Sequence, residues 1–243
     1  MTGVRTEATA AGLIVRPPDP AGTVVLYAPG DRYLAADPEP VPDTARRLAL
    51  QTGATVVCAR YRQVFPAALD DVEAAYDLGR SLGPVAVAGE RLGAGLVTAL
   101  LLRLRDRGAA LPGCGTLVSG LLDLTLGASS LLFNAAGDPA FDLGAVRARV
   151  AAYAGGAAKD DPLVSPLFGN LHGLPPIQLL AAGNDPLLDD SLAFAARAAR
   201  SGVHVDLRVR SDAAALHRDT VPAMAAFVAD WAAAGLLPPL TGS

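Results

Sequence analysis

Aromatic residues are scarce in this chain: only 5% of its 243 residues are Phe, Tyr or Trp, although 51% are hydrophobic. A core of this composition has to be assembled mainly from Ala, Leu and Val side chains rather than from packed rings. Charge is also dilute, because charged residues make up 18% of the chain, the net charge is −4 and the basic residues are dispersed. Nucleic-acid-binding proteins carry a concentrated basic face, so we expect no nucleic-acid partner.

Cysteine and histidine are equally rare, with two and three residues respectively. Cys58 and Cys114 lie in separate apolar segments, which is typical of buried free thiols in a reducing compartment. A protein metal site needs a cluster of ligand residues at suitable spacing, and the sequence has no such cluster. We therefore expect neither a bound metal nor a cofactor.

Long hydrophobic runs are missing as well. A membrane-spanning helix needs roughly 20 consecutive apolar residues, and arginines at positions 103, 105 and 107 interrupt the closest candidate, which begins at residue 96. The first 18 residues contain a single arginine, Arg5, before residue 16 and no apolar stretch that resembles a secretory signal. We expect a cytoplasmic protein with no membrane partner.

What the sequence does contain is an alternation of short β-rich segments and longer helical ones. Strands are predicted at residues 12–16, 23–28, 55–61, 85–89, 115–120, 177–183 and 203–210. Helices are predicted at residues 43–52, 66–82, 92–107, 142–154, 188–201 and 220–235. Asp43 and Asp190 are the expected N-caps, and Gly53, Gly108 and Gly202 the expected helix ends. This alternation indicates one α/β domain with a mostly parallel sheet, whose functional residues follow the carboxyl ends of the strands.

One strand–turn–helix segment, residues 84–108 (PVAVAGERLGAGLVTALLLRLRDRG), has a special shape. In hydrolases a strand, a G-x-S-x-G turn and a helix form the nucleophile elbow, with serine at the tip. Here both glycines are present in Gly89-Glu90-Arg91-Leu92-Gly93, but the tip is Arg91. A guanidinium cannot attack an ester, so the turn is retained without the nucleophile.

Several longer segments resemble the hormone-sensitive-lipase-like carboxylesterases and lipases of the α/β-hydrolase fold. They are YRQVFPAALDDVEAAY (61–76), LRLRDRG (102–108), LLDLT (121–125), DPLVSPLFGNLHGLPP (161–176) and AGNDPLLDDSLAFAARAARSGVHVDLRV (182–209). The resemblance implies an α/β-hydrolase fold over residues 23–238, with a mostly parallel central sheet flanked by helices. It also implies that residues 1–22 are the remnant of a cap that is reduced or absent, because Pro17, Pro18 and Pro20 disfavour a helix there.

The resemblance also assigns the catalytic positions. The family serine falls on Arg91, the triad aspartate is retained as Asp185, and the histidine falls on Ala215, with His217 two residues later. A Ser-His-Asp triad needs a nucleophile, a base within hydrogen-bond reach and an acid that orients the base. The resemblance therefore implies a degenerate member, a pseudoenzyme without ordinary serine-esterase activity.

The oxyanion loop departs from the family in the same way. The family motif H-G-G-G falls on Ala28-Pro29-Gly30-Asp31. Proline has no N–H to donate, and the Asp31 carboxylate would oppose the negative charge that an oxyanion hole stabilises. A bound ligand would instead meet candidate contacts from both loops, namely Arg91, Glu90, Leu92, Gly30, Asp31, Arg32 and Tyr33.

The roles of single residues stay open at this point. Arg91 either neutralises Glu90, Asp31 or Asp185, or binds an anionic ligand group at the positive end of the following helix. Asp185 is a general base, a partner for Arg91 or an inherited loop acceptor. Ser119, at the end of a strand, is the least implausible replacement nucleophile.

Four functions remain open. The first is a pocket protein that binds a small molecule, for example a carboxylate, in the former active-site cleft. The second is a non-hydrolytic enzyme of bacterial specialised metabolism, of the cyclase, dehydratase or decarboxylase type, that uses Asp185, Glu90 and Arg91. The third is a non-catalytic subunit of a homo- or hetero-oligomer, with a homodimer through the edge strand at residues 203–209 as one form. The fourth is a weak carboxylesterase with a relocated triad that includes His217.

Overall fold

The computed structural model of this protein describes residues 3–30, 43–135 and 141–234. The strands are β1 (Arg5–Thr9), β2 (Gly12–Arg16), β3 (Val24–Ala28), β4 (Thr55–Ala59), β5 (Val85–Glu90), β6 (Gly115–Val118), β7 (Ile177–Ala182) and β8 (Val205–Arg210). In the described ranges they form one eight-stranded sheet in the order β1-β2-β4-β3-β5-β6-β7-β8. The pairs β1–β2 and β2–β4 are antiparallel, and the other neighbouring pairs are parallel.

Helices cover both faces of this sheet. They are α1 (Asp43–Thr52), α2 (Ala67–Leu82), α3 (Leu92–Asp106), α4 (Ser130–Phe133), α5 (Leu143–Ala154), α6 (Leu188–Arg200) and α7 (Ala213–Ala233), with a 3-10 helix at Pro166–Phe168. Val25 and Val56 pack with α1 and α7, whereas their neighbours Leu26 and Val57 pack with α2 and α3 on the other face. Successive side chains of a strand point to opposite faces of the sheet, which explains why these neighbours pack on different helices. The predicted mostly parallel sheet flanked by helices is confirmed.

Burial on both faces explains why the central strands read as continuous apolar runs. Every residue of β3, β4 and β7 is buried. The first strand is different, because four of its five residues are exposed, and the sequence reading missed it. β1 and β2 both lie within the first 22 residues and belong to the central sheet.

The last helix begins earlier than predicted. The sequence placed it at residues 220–235, but α7 starts at Ala213, with Asp212 as its N-cap. The Asp212 Oδ1 atom accepts a hydrogen bond of 2.8 Å from the Ala215 N–H. The alanines after the cap are strong helix formers, and the helix continues through Pro222.

The predicted caps are confirmed in part. Gly53, Gly108 and Gly202 follow helices with φ of +68°, +65° and +77° respectively, the left-handed conformation in which glycine ends helices. The Asp190 prediction is wrong, because this residue lies inside α6. Its carboxylate accepts hydrogen bonds from the backbone N–H groups of Leu122 (2.8 Å) and Asp123 (3.0 Å) instead.

The described helices and side chains bear on membranes and metals. None of these helices is long and apolar enough to cross a bilayer. Nor do the described residues bring together three or more His, Cys, Asp or Glu side chains in a way that could hold a metal ion. Cys58 and Cys114 are free thiols buried in the core, and burial raises the pKa of each to about 12.

Candidate functional site

The turn between β5 and α3 has the backbone of an elbow. Arg91, at its tip, has φ 51° and ψ −116°, a sparsely populated conformation for a residue with a side chain. The Arg91 N–H donates to the Val118 carbonyl over 3.0 Å, which fixes the tip against β6. A Cβ on Gly93 would lie 2.1 Å from the Ala28 carbonyl oxygen, and one on Gly89 would lie 2.4 Å from the Gly93 oxygen. Both glycines are therefore required by the close approach of backbones.

The tip residue meets the retained carboxylate. Arg91 Nη1 lies 3.6 Å from Asp185 Oδ2, and the Asp185 side chain is only 4% exposed, whereas that of Arg91 is 20% exposed. Asp185 follows β7, and its Oδ1 atom accepts a hydrogen bond of 2.8 Å from the Leu187 N–H. The structure thus brings together two of the predicted site residues, as an ion pair at the carboxyl edge of the sheet.

A short helix holds the loop that carries Asp185. The Asn134 amide, at the end of α4, donates to the carbonyls of Asp185 (2.9 Å) and Gly183 (3.2 Å). Ser130 and Asp189 also bond reciprocally, since the Ser130 N–H donates to Asp189 Oδ2 (2.8 Å) and the Asp189 N–H donates to Ser130 Oγ (3.1 Å). Sequence reasoning missed Asn134, because a four-residue helix has no periodic signal.

Glu90 turns away from this ion pair. It ends β5 after Ala88, which packs on the α1 and α7 face, and its carboxylate is hydrogen-bonded by the side chains of Tyr27 and Thr44. Burial raises the pKa of Glu90, and the bonds from Tyr27 and Thr44 and the charges of Arg91 and His217 offset this only in part. Glu90 is therefore a half-buried carboxyl group that favours its protonated form more than usual.

His217 does not join the predicted triad. It lies on α7 and is exposed, and its charge acts on Glu90. Across the part of the chain that the structure describes, Asp185 makes no hydrogen bond with His217. Ala215, where the resemblance places the histidine, is in the first turn of the same helix.

The loop after β3, where the resemblance places the oxyanion motif, begins against the elbow. A Cβ on Gly30 would lie 1.8 Å from the Glu90 carbonyl oxygen and 2.9 Å from Arg91 Cβ. The Pro29 carbonyl accepts a hydrogen bond from the Tyr61 hydroxyl. Asp31, Arg32 and Tyr33 lie outside the described residues. Leu92 is 3% exposed and its side chain packs in the core, so the role predicted for it falls to its backbone.

Two further polar groups lie at the same edge. Ser119 follows β6 with φ 43° and is 3% exposed. Its hydroxyl, like the Asn184 Oδ1 atom after β7, is buried without a hydrogen-bond partner among the described residues. Unpaired buried polar atoms are unfavourable in folded proteins, so both atoms are notable. The sequence pointed to Ser119 by its place after a strand, but it did not point to Asn184.

Comparison with known proteins agrees with this geometry. Residues 25–215 match a family described as alpha/beta hydrolase fold. The chain belongs to this family. It is 33% identical over 199 residues to an acetyl-hydrolase of Streptomyces hygroscopicus, which covers 79% of this chain and 67% of that protein. It is 35% identical over 150 residues to an esterase of Acinetobacter venetianus, covering 60% of this chain and 50% of that protein. The chain thus spans between half and two thirds of the length of these relatives.

Solved alpha/beta hydrolase structures superpose closely. EstE5, from a crystal soaked with p-nitrophenyl butyrate, is 28% identical, with a TM-score of 0.86 over 96% of this chain and 86% of that one. A hormone-sensitive lipase from a metagenome library is 26% identical, with a TM-score of 0.87 over 95% and 87%. The resemblance to this esterase group is confirmed at the level of fold and family.

The polar and charged groups at the carboxyl edge of the sheet decide what this site can bind. The elbow tip offers a cation and a helix N-terminus rather than a hydroxyl. The buried Asp185 carboxylate lies beside it, and the buried oxygens of Ser119 and Asn184 follow neighbouring strands at the same edge of the sheet. Such a set can bind an anion through the guanidinium.

Proposed function

We propose that this alpha/beta hydrolase family member is a catalytically degenerate protein that binds a small anionic molecule, such as a carboxylate, at Arg91. One observation carries the proposal: the strained elbow backbone, φ 51° and ψ −116°, is retained while its tip presents a partly exposed guanidinium. Strain of this kind raises the energy by about 1–3 kcal/mol and persists where the surrounding structure enforces it. The elbow therefore still presents its tip side chain, but that side chain is a cation.

Electrostatics at the tip support an anionic ligand. Arg91 is the N-cap residue of α3, and the first turn of that helix contains no acidic residue. The positive end of a helix disfavours a cation, so an anion is needed to compensate it. Two carboxylates of the protein act on it: Asp185 Oδ2 lies 3.6 Å from Arg91 Nη1, and the charge of Arg91 also acts on Glu90. The Arg91 side chain is 20% exposed, so a ligand carboxylate can reach the guanidinium from solvent and add to this compensation.

The test is the binding of simple carboxylates to the purified protein. We expect butyrate and benzoate at constant ionic strength to raise the melting temperature, and Arg91→Ala to abolish the rise. Arg91→Lys is the matched control, because it keeps the charge but loses the bidentate fork, and it should retain a smaller rise. An equal rise in the wild type and in Arg91→Ala would contradict the proposal.

A second candidate, a non-hydrolytic enzyme, is favoured by Glu90. Proton transfer by a carboxyl group benefits from a raised pKa, and burial raises the pKa of Glu90. Glu90 is hydrogen-bonded by Tyr27 and Thr44, whereas Asp185 is bonded by the Leu187 N–H, and the charge of Arg91 acts on both carboxyls. Product formation that falls in Asp185→Asn would favour this function over binding alone.

Association with a second chain is the third candidate. β8 is an edge strand, and Leu207 and Val209 on it are 38% and 42% exposed. Unpaired edge strands with exposed apolar side chains are ready to pair with another chain. A dimer in light scattering that becomes a monomer in Leu207→Lys would support pairing through this strand. The buried free thiols, Cys58 and Cys114, support a cytoplasmic location as part of this account.

A further inference from the structure

A second concave site lies near the amino-terminal ends of β7 and β8, whereas Arg91 lies beyond the carboxyl end of β5. It is a groove of about 300 Å³ between the start of β8 and the last turns of α7. Ile177, the first residue of β7, donates its N–H to the His204 carbonyl, whereas Asp185 lies beyond the other end of β7. The groove is lined by His204, Asp206, Arg208, Phe227, Asp230, Trp231 and Ala234. It is therefore separate from the elbow and shares no residue with it.

Aromatic rings form one wall of this groove. The Trp231 and His204 ring centroids are 5.5 Å apart with the planes at 71°, and the Trp231 and Phe227 centroids are 6.1 Å apart at 68°. Phe227 is buried, whereas Trp231 is half-buried and His204 is exposed. The faces of such rings carry negative potential and attract cations, with tryptophan the strongest. The concentration of rings is notable in a chain with a single tryptophan.

The charges in the groove sum to a negative excess. Arg208 forms an ion pair with Asp206. Its Nε lies 3.1 Å and 3.0 Å from the two carboxylate oxygens, and its Nη2 lies 2.8 Å from Oδ2. Gln178 Nε2 also donates to Asp206 Oδ2 over 2.8 Å. Although burial opposes it, the bonds from Arg208 and Gln178 lower the pKa of Asp206. The Asp206–Arg208 pair is thus neutral, and with His204 counted as neutral the Asp230 carboxylate remains as additional negative charge.

Asp230 occupies an unfavourable position for a carboxylate. It lies in the last turn of α7, and that turn contains no basic residue. The carboxyl end of a helix carries partial negative charge and is stabilised by cations. Within the described ranges, Asp230 makes no ion pair within 4.0 Å, and the charge that acts on it from a longer distance is that of Arg208. A cation in the groove would relieve both the carboxylate and the helix end.

We propose that this groove binds a small organic cation, an ammonium group on a compact carrier, held over the Trp231 ring and beside the Asp230 carboxylate. Pockets for small molecules begin at about 300 Å³, so the groove suits a compact ligand. Rings supply the attraction for a weakly hydrated ammonium, and Asp230 supplies the counter-charge. This site is independent of the function proposed for Arg91.

The protein carries its own reporter for a test. Trp231 is the single tryptophan of the chain and lines the groove, so its fluorescence reports occupancy directly. Choline is the probe, titrated at constant ionic strength. The matched neutral probe is 3,3-dimethyl-1-butanol, which has the same shape with carbon in place of nitrogen. We expect a saturable change with choline and none with the alcohol.

Two variants separate the groove from general charge effects. Asp230→Asn should weaken choline binding about threefold to tenfold, because it removes the counter-charge and leaves the rings in place. Asp219→Asn is the control, since Asp219 lies on the same helix but pairs with Arg210 at 2.6 Å, outside the groove. Its affinity should match that of the wild type. A response to choline that does not saturate, that the alcohol reproduces, or that Asp230→Asn leaves unchanged would overturn the proposal.

Discussion

Arg91 Nη1 lies 3.6 Å from Asp185 Oδ2, so the residue at the elbow tip is an ion-pair partner of the carboxylate that would orient a catalytic histidine. Asp185 is almost fully buried, and a buried carboxylate needs a cation or hydrogen-bond donors. The guanidinium supplies the charge and the Leu187 N–H supplies a donor.

Placing a serine at the tip should not produce ester hydrolysis. In Arg91→Ser a hydroxyl would occupy the elbow, but no described histidine is hydrogen-bonded to Asp185 to serve as its base. We expect the turnover of p-nitrophenyl butyrate to equal that of Arg91→Ala, the matched control without a hydroxyl. Turnover in Arg91→Ser clearly above that of Arg91→Ala would show that a base is within reach after all.

The elbow glycines should tolerate no side chain. In Gly93→Ala the new Cβ would lie 2.1 Å from the Ala28 carbonyl oxygen, so β3 or α3 must shift, and we expect the free energy of unfolding to fall by about 1–3 kcal/mol. Gly3→Ala is the control, because a Cβ there meets nothing within 4 Å. Urea denaturation of both variants checks the prediction, which similar stabilities for the two would contradict.

Asp190 should make the protein less stable as pH rises towards neutrality. Burial raises the pKa of this carboxyl from 3.8 to about 7, against the opposing bonds from Leu122 and Asp123. The folded state therefore holds the proton more tightly than the unfolded state, and the resulting stability is fully present below about pH 4 and lost as pH rises through about 7. Each unit of pKa difference corresponds to about 1.4 kcal/mol.

The Asp190→Asn variant isolates this contribution. Its amide does not titrate, and its oxygen can still accept the bonds from Leu122 and Asp123. We expect the free energy of unfolding to fall less between pH 5 and pH 8 in the variant than in the wild type, measured by urea denaturation at each pH. Equal losses in the two proteins would contradict the assignment.

The α2–α3 contact should depend on one arginine. Arg103 Nη1 lies 2.7 Å from Asp70 Oδ1 and 2.9 Å from Glu73 Oε2, with its side chain 10% exposed. In Arg103→Ala the exposed Asp70 loses this cation while Glu73 keeps Arg107 at 2.8 Å, and we expect a loss of about 1 kcal/mol in the free energy of unfolding. Arg62→Ala removes an exposed ion pair with Asp71 and should have little effect. Equal losses would contradict the special role of Arg103.

Much of this architecture could be predicted from the sequence, because strands that are buried on both faces consist of consecutive apolar residues. Strands such as β3 and β7 read as uninterrupted apolar runs, and the positive-φ glycines mark helix ends. β1 left no such trace, because it lies at the sheet edge with exposed side chains. The start of α7 was missed because the Asp212 cap precedes an alanine run without periodicity.

The site was less predictable, because the direction of each side chain at the elbow depends on contacts between distant segments. The pattern of glycines located Arg91, and the resemblance of the chain to the esterase group located Asp185. Neither pattern gives the direction of the side chain, which depends on tertiary contacts. Glu90 adjoins Arg91 in sequence, yet it is hydrogen-bonded by Tyr27 and Thr44 on the other face of the sheet. Asn134 and Asn184 reach the edge through loops that no local pattern describes.

The most direct test of the central claim is the hydrolysis of short-chain p-nitrophenyl esters by highly purified protein, with Asp185→Asn assayed beside it. The account predicts background turnover in both proteins, because the elbow carries an arginine in place of a nucleophile. Turnover in the wild type that Asp185→Asn abolishes would contradict it and would mean that a relocated triad operates at this edge of the sheet.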